Sequence, residues 1–204
     1  MRIDFLLIVI SLCIIFSFAC STIEPKITQN SCILFEEKKS WYKATKKSYD
    51  KWDVPIALQL SIIYQESSFK QFAKPKRNKF LGLIPINRPS TAFGYAQVIN
   101  PTWDWYKTST GNNNASRANF YDVTDFIGWY SLQTKKILGI SNKDFYNQYL
   151  AYHEGHGGWK KKSYNSKKWL LDAAKRVETN ANKYNNQLKE CESKLNKKSF
   201  FGVF

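Results

Sequence analysis

The most regular pattern of apolar positions lies late in the chain. Leu170, Ala173, Ala174, Val177, Ala181, Tyr184 and Leu188 recur at i, i+3, i+4, i+7 spacing and predict a long amphipathic helix. Phe35, Tyr42, Tyr49 and Trp52 repeat at helical intervals too, which predicts a helix over 34–52. Asp53-Val54-Pro55 reads as a restart, with Asp53 as N-cap and proline in the first turn. The helix that follows, to about Glu66, turns Ile56, Leu60 and Ile63 toward a core. Asn100-Pro101 opens a short helix containing Trp103, Trp105 and Tyr106, and a longer one over 118–138 carries Phe126, Trp129, Gln133 and Ile137 on one face. Ser141, with Asp144 three residues on, is a variant capping box for a further helix that "GHGG" (155–158) should end. Residues 70–92, punctuated by Pro75, Pro85 and Pro89, read as a long loop, and "TGNNNAS" (110–116) as a turn. No segment alternates as a strand. The fold class is mainly α.

At 204 residues the chain suits one domain with a buried core, and 43% hydrophobic content argues against disorder. The formal charge of +15 changes the picture by asking for an anionic partner: nucleic acid, a membrane surface or a wall polymer. The basic residues are scattered in pairs and triplets, so a solvated basic surface stays equally open.

The first twenty residues narrow that choice. Arg2 precedes an apolar stretch, Phe5–Phe18, that suits a secretory signal better than a spanning helix, with a simple cleaved signal or an uncleaved anchor as the alternatives to a lipoprotein. Ala19-Cys20 then resembles a bacterial lipobox, with Ser17 where leucine is usual. The expectation is a signal peptide over 1–19, lipidation at Cys20, an anchor linker over 20–33, a folded domain over 34–191 and a tail over 192–204. Export argues against nucleic acid as a partner. Ser21, rather than aspartate, favours the outer membrane of a Gram-negative cell. Cys32 and Cys191 remain as one pair for an oxidising compartment. Cys32 precedes Phe35 by three residues and Cys191 follows Leu188 by three, so both face inward and a bond between the terminal helices is expected. Closing so long a loop is worth about 5 kcal/mol in the chain-entropy model.

Glu66, in "SIIYQESSF" (61–69), is a lone carboxylate behind Ile62 and Ile63, which share its helical face. Apolar neighbours raise a carboxyl pKa, and a carboxylic acid still protonated near neutrality is what a general acid at a glycosidic oxygen needs. A helix-end glutamate that merely caps nearby backbone is the plainer alternative.

Two further stretches bear on that choice. Glu66-Ser67, then Gly94-Tyr95-Ala96-Gln97 with Pro101-Thr102, then Ala151-Tyr152-His153-Glu154-Gly155 follow one another along the chain. In this order they resemble the three motifs of the lytic transglycosylase domain of the soluble murein transglycosylase type: Glu-Ser, Gly-x-x-Gln before a Pro-Ser/Thr helix start, and Ala-Tyr-Asn-x-Gly. The resemblance spans 54–158 and implies a lysozyme-like single domain, with terminal helices packed on it, that binds peptidoglycan glycan strands. It implies Glu66 as the catalytic acid/base, Ser67, Gly94, Tyr95, Gln97, Tyr152 and His153 as substrate-binding residues, and Tyr152 bonded near the catalytic carboxyl. Tyr152 as a simple core residue stays open. No cofactor or metal is called for, and the protein is expected to act as a periplasmic, lipid-anchored monomer.

Two departures from the family pattern stand out. His153 replaces the usual asparagine, and the 70–92 segment between the first two motifs is long. Phe72, Lys76, Arg77, Phe80 and Arg88 within it either line a polymer groove or form a surface loop. "HEGH" (153–156) lacks the spacing of a helical zinc site, and with no other histidine in the chain a serine-hydrolase triad has little support. Asp104, Asp122 and Asp125 are candidates for a second carboxylate near Glu66. The alternatives to a transglycosylase are a goose-type muramidase and a non-catalytic wall-binding lipoprotein.

Overall fold

A computed structural model describes residues 28–200. Its organising element is the helix α3, Ile56–Ser67, in which every residue from Ile56 to Ile63 is buried. Apolar residues lie on every side of it, and Gln59 and Ser61, buried among them, need partners within the protein. The other helices are α1 (Ser31–Glu37), α2 (Lys39–Trp52), α4 (Asn100–Thr110), α5 (Phe120–Leu138), α6 (Phe145–Lys160) and α7 (Lys168–Phe200), of which α7, α2 and α5 pack directly on α3. α7 packs along α3, α6 and α1, while α5 packs on α2. Gln59 is fully buried within α3 and donates its amide to Thr45 O (3.2 Å) and Val54 O (3.0 Å), tying α3 to the preceding helix and turn. The fold is mainly α and lysozyme-like.

All seven apolar positions that predict the last helix are buried on α7. α7 also runs on past residue 192 to Phe200, because Leu195 continues the stripe and is itself buried. Cys32 and Cys191 are joined in a disulfide that ties α1 to α7 across 159 residues. The expected signal segment and Cys20 lie outside the described residues.

Several boundaries differ from the sequence expectation. The 34–52 helix is two helices broken at Lys38, with Asn30 capping the first by accepting from Cys32 N (2.9 Å) and Ile33 N (3.2 Å). Asp53 does not start α3. It ends α2 in the left-handed region (φ 54°), a conformation aspartate tolerates, and its N–H returns to Tyr49 O. Asp144, not Ser141, caps α6, accepting from Asn147 N at 3.1 Å. "GHGG" does not end that helix: Gly155 (φ 70°, ψ 162°) kinks it and the helix resumes to Lys160. On α5, Phe126 and Trp129 are buried but Ile137 is exposed. The proline-rich loop holds a small antiparallel ladder, β1 (Lys79–Phe80) with β2 (Ile84–Pro85), turning through Leu81 and Gly82 at positive φ.

Candidate active site

The buried course of α3 decides where Glu66 sits. The helix leaves the core only in its last turn, and Glu66 emerges there, partly buried. The chain then breaks away at once through two left-handed residues, Ser68 (φ 51°) and Phe69 (φ 62°). Such conformations are costly for non-glycine residues. They are held by the Ser68 N–H bond to Tyr64 O (2.9 Å) and by Phe69, whose buried ring stacks on Trp41 at 5.4 Å.

Burial pushes the Glu66 carboxyl up to about 7, and a hydrogen bond from Tyr149 opposes that rise only in part. The C-terminal end of the helix dipole acts in the same direction as burial, since it disfavours a negative charge in the last turn. Tyr149 is itself buried on α6, and its hydroxyl donates to Glu66 Oε1 at 2.8 Å. Burial, with the nearby Glu66, holds the Tyr149 hydroxyl far above its ordinary pKa, so it remains a donor.

Glu66 faces a cavity of about 450 Å³. Its floor is aromatic: Phe126 and Tyr130 from α5 and Tyr152 from α6. The Tyr130 and Tyr152 rings meet edge to face at 5.6 Å. The facing wall is the Gly94–Gln97 turn, closed by a bridge between Phe93 and Val98. Gln97, at φ 49°, donates its amide to Ala73 O (3.0 Å) and Gly94 O (2.8 Å). That fixes the side chain at the cavity wall. Arg117, which nothing in the sequence pattern singles out, stitches the turn from behind by donating to Val98 O (2.6 Å) and Thr91 O (2.9 Å).

Among the residues expected from the motifs, Glu66, Gln97, Tyr152 and His153 come together around this cavity. Others do not. Ser67 is buried and its hydroxyl turns back to Ile63 O at 3.2 Å, the local bond a helix-end serine makes readily. Tyr95 is packed edge-on against Trp41 (5.8 Å) and Phe120 (5.3 Å), in the core behind the wall. Gly94 (φ 77°) meets a backbone requirement, since a Cβ there would overlap the Arg117 carbonyl. Tyr152 lines the cavity but donates to Ala96 O at 2.6 Å, bracing α6 against the wall. The hydroxyl on the Glu66 carboxyl is that of Tyr149, one helical turn earlier. Position i−3 from a motif tyrosine on the same helix face is the signal that would have found it.

None of Asp104, Asp122 and Asp125 lines the cavity. Asp125 is taken up by Trp52 Nε1 (2.8 Å), the Tyr106 hydroxyl (2.7 Å) and Lys51 (2.9 Å), and Asp122 accepts from Ser116 N (2.9 Å). Asp104 pairs with Lys107 at 3.1 Å. The second carboxylate at the cavity is Glu154. Burial pushes its carboxyl up, but bonds from Lys167 (2.8 Å to each oxygen), Ser163 and His153 (3.2 Å) outweigh this and hold it below the ordinary range. The two histidines of "HEGH" part company. His153 sits at the cavity against the Trp169 ring, whereas His156 stacks on Tyr130 at 4.8 Å and bonds Thr134 Oγ1 at 3.0 Å. Among the described residues, no three histidine, cysteine or carboxylate side chains gather as a metal site requires.

A partly buried acid of raised pKa, at the end of a core helix and over an aromatic cavity, is a site built for proton transfer. Residues 7–191 match the family model described as a transglycosylase SLT domain. No curated protein matches the chain, and no solved structure does. With most of its length covered by that one model, the chain belongs to the transglycosylase SLT-domain family, whose activity is lytic transglycosylation of peptidoglycan.

Proposed function

We propose that this protein cleaves the bond between N-acetylmuramic acid and N-acetylglucosamine without water, with Glu66 as the one acid/base. The observation that carries this is the Glu66 carboxyl, set at about 7, bonded to Tyr149 and facing the cavity. A group poised near neutrality can give a proton and then take one back. In the first half-reaction Glu66 protonates the oxygen leaving from the muramic C1, and the C1–O bond breaks through an oxocarbenium-like transition state. In the second, the ionised carboxylate accepts the proton of the muramic C6 hydroxyl as that oxygen closes on C1. Glu66 ends as it began, and the product carries a 1,6-anhydro ring.

In this reading Gln97 and His153 offer polar contacts to the glycan, and Tyr152 braces the cavity that receives it. Tyr149 positions the acid. A hydrolytic reading, like that of goose-type muramidases, draws on one observation: Glu154 is a second carboxylate on the same cavity, as an inverting hydrolase needs to activate water. Its oxygens are already held by Lys167 and Ser163, which makes it a poor base.

Mass spectrometry of the products from purified sacculi is the deciding experiment. Anhydromuramic ends, lighter by one water than reducing ends, are the expected result. Reducing ends alone would give the case to hydrolysis, and no release at all would leave a binding protein. The proposal extends to the cell. The chain is exported, lipidated on Cys20 and held as a monomer at the outer membrane, with 34–191 as its catalytic domain. Fatty-acid labelling that survives Cys20→Ser would refute the anchor.

A further inference from the structure

We infer that the hairpin at 79–85 is a membrane-docking element that dips its tip into an anionic phospholipid bilayer. Leu81 and Leu83 stand at 80% and 81% exposure on either side of Gly82, whose φ of 73° makes the turn. Ile86 (47%) adds apolar surface on one leg, and Phe72 (66%) lies below the base of the hairpin beside Phe93. Single exposed leucines are ordinary on a protein surface, but an apolar tip raised on its own ladder is not. The ladder is zipped below the tip by Ile86 N to Asn78 O (2.8 Å) and Asn78 N to Asn87 O (3.3 Å), and Arg88 donates across the legs to Pro75 O.

Charge identifies the occupant. From Ser67 to Trp103 the chain contains no Asp or Glu, yet it contains Lys70, Lys74, Lys76, Arg77, Lys79 and Arg88. Among the described residues none of these six is paired with a carboxylate. Lys76, Arg77 and Lys79 flank the tip on one leg and Arg88 on the other. An apolar point with a cationic collar matches the boundary between acyl chains and anionic headgroups. A wall polymer would be met by the cations but would leave the leucines in water.

The hairpin's position gives the docking a consequence. Pro75 and Ser90, at the base of its two legs, line the Glu66 cavity. A tip held in the bilayer therefore sets the distance and tilt of the cavity above the membrane surface. This inference stands apart from the fate of Cys20 and from the reaction proposed for Glu66.

The test reads the tip locally in the full chain. Cys13→Ser and Cys20→Ser leave one reactive thiol when Leu83→Cys is labelled with an environment-sensitive nitrobenzoxadiazole, the Cys32–Cys191 pair being oxidised. Vesicles containing phosphatidylglycerol should blue-shift and brighten the probe, and a bilayer-borne nitroxide should quench it. Phosphatidylcholine alone should give little response. Substituting Gln for Lys76, Arg77 and Lys79 together should weaken the response about a hundredfold, at about fivefold per cation. The same label at Lys183→Cys on α7 should stay unchanged. A silent tip on anionic vesicles overturns the inference. So does an equal response at Lys183, a response to purified sacculi in place of vesicles, or a rise with protein concentration alone, which would mean a second copy covers the tip. Retained glycan cleavage, or an unchanged circular dichroism spectrum, shows that each variant is folded.

Discussion

The Tyr149 hydroxyl donates to Glu66 Oε1 at 2.8 Å, joining α6 to the end of α3 across 83 residues of chain. This bond pulls the Glu66 carboxyl back toward its ordinary range against burial. It also fixes which oxygen stays with the protein and which is presented to the cavity.

Tyr149→Phe removes that bond while keeping the ring. The Glu66 pKa should rise, because the opposing influence is gone. Activity that needs protonated Glu66 falls as pH climbs past this pKa, so the alkaline limb of the pH–rate profile should move to higher pH. The rate at its optimum should drop by about tenfold, in line with one hydrogen bond to a reacting group. A fall in rate with no movement of the limb would mean that Tyr149 only packs.

Glu66→Gln should bind glycan and lose turnover by about 10²–10⁴-fold or more, since acid and base are one group. Its stability should carry a second signature. A carboxyl whose folded pKa lies above its unfolded value of 4.5 destabilises the protein as pH rises from there through about 7. The wild type therefore gives up as much as about 3 kcal/mol over that window, and the Gln variant does not. Denaturant melts at pH 5 and pH 8 should show the variant gaining on the wild type at the higher pH. Parallel curves would mean that Glu66 titrates normally.

Gly94→Ala should destabilise by about 2–4 kcal/mol, because it adds a Cβ against the Arg117 carbonyl at a φ of 77°. Displacing the turn also displaces Gln97, so KM should rise along with the lost stability. Gly82→Ala, at a similar φ of 73° but with nothing near its Cβ, should cost only the backbone part, about 1 kcal/mol. Equal losses in thermal melts of the two variants would remove the steric argument.

The helices legible in the sequence are those whose apolar residues share one face. α7 is the clearest, and its seven periodic residues are all buried. α3 was legible as a helix, but its burial on every side was not, because Gln59 and Ser61 look like a polar face until their partners are seen. The site divides in the same way. Glu66 could be found from its local apolar neighbours, and Gln97 and Tyr152 from motif order. Tyr149 and Glu154 act through partners 83 and 13 residues away, which local spacing does not reveal. Gly94 and Tyr95 occupy motif positions where the backbone approaches closely and the core is packed, which motif order alone does not reveal.

Glu154 separates the two reactions. Its side chain is 5% exposed, and both its oxygens accept from Lys167 at 2.8 Å. If Glu66 works alone, Glu154 only joins α6, just before the Gly155 kink, to the approach to α7. Glu154→Gln should then keep anhydromuramic product within roughly tenfold of wild type, since it can still accept from Lys167 and Ser163. Lys167→Met leaves the buried carboxylate with only Ser163 and His153 and should cost about 2 kcal/mol, discounted because Lys167 is itself partly exposed. The sign of its pH dependence follows from the lowered Glu154 pKa. The pair's contribution is present above the ordinary carboxylate pKa and is lost as pH falls through the depressed one. The stability gap between wild type and Lys167→Met should therefore narrow on acidification. A hydrolase using Glu154 to activate water would instead lose several orders of magnitude in Glu154→Gln while its fold stayed intact. That loss, with reducing ends from the wild type, would overturn the single-acid mechanism.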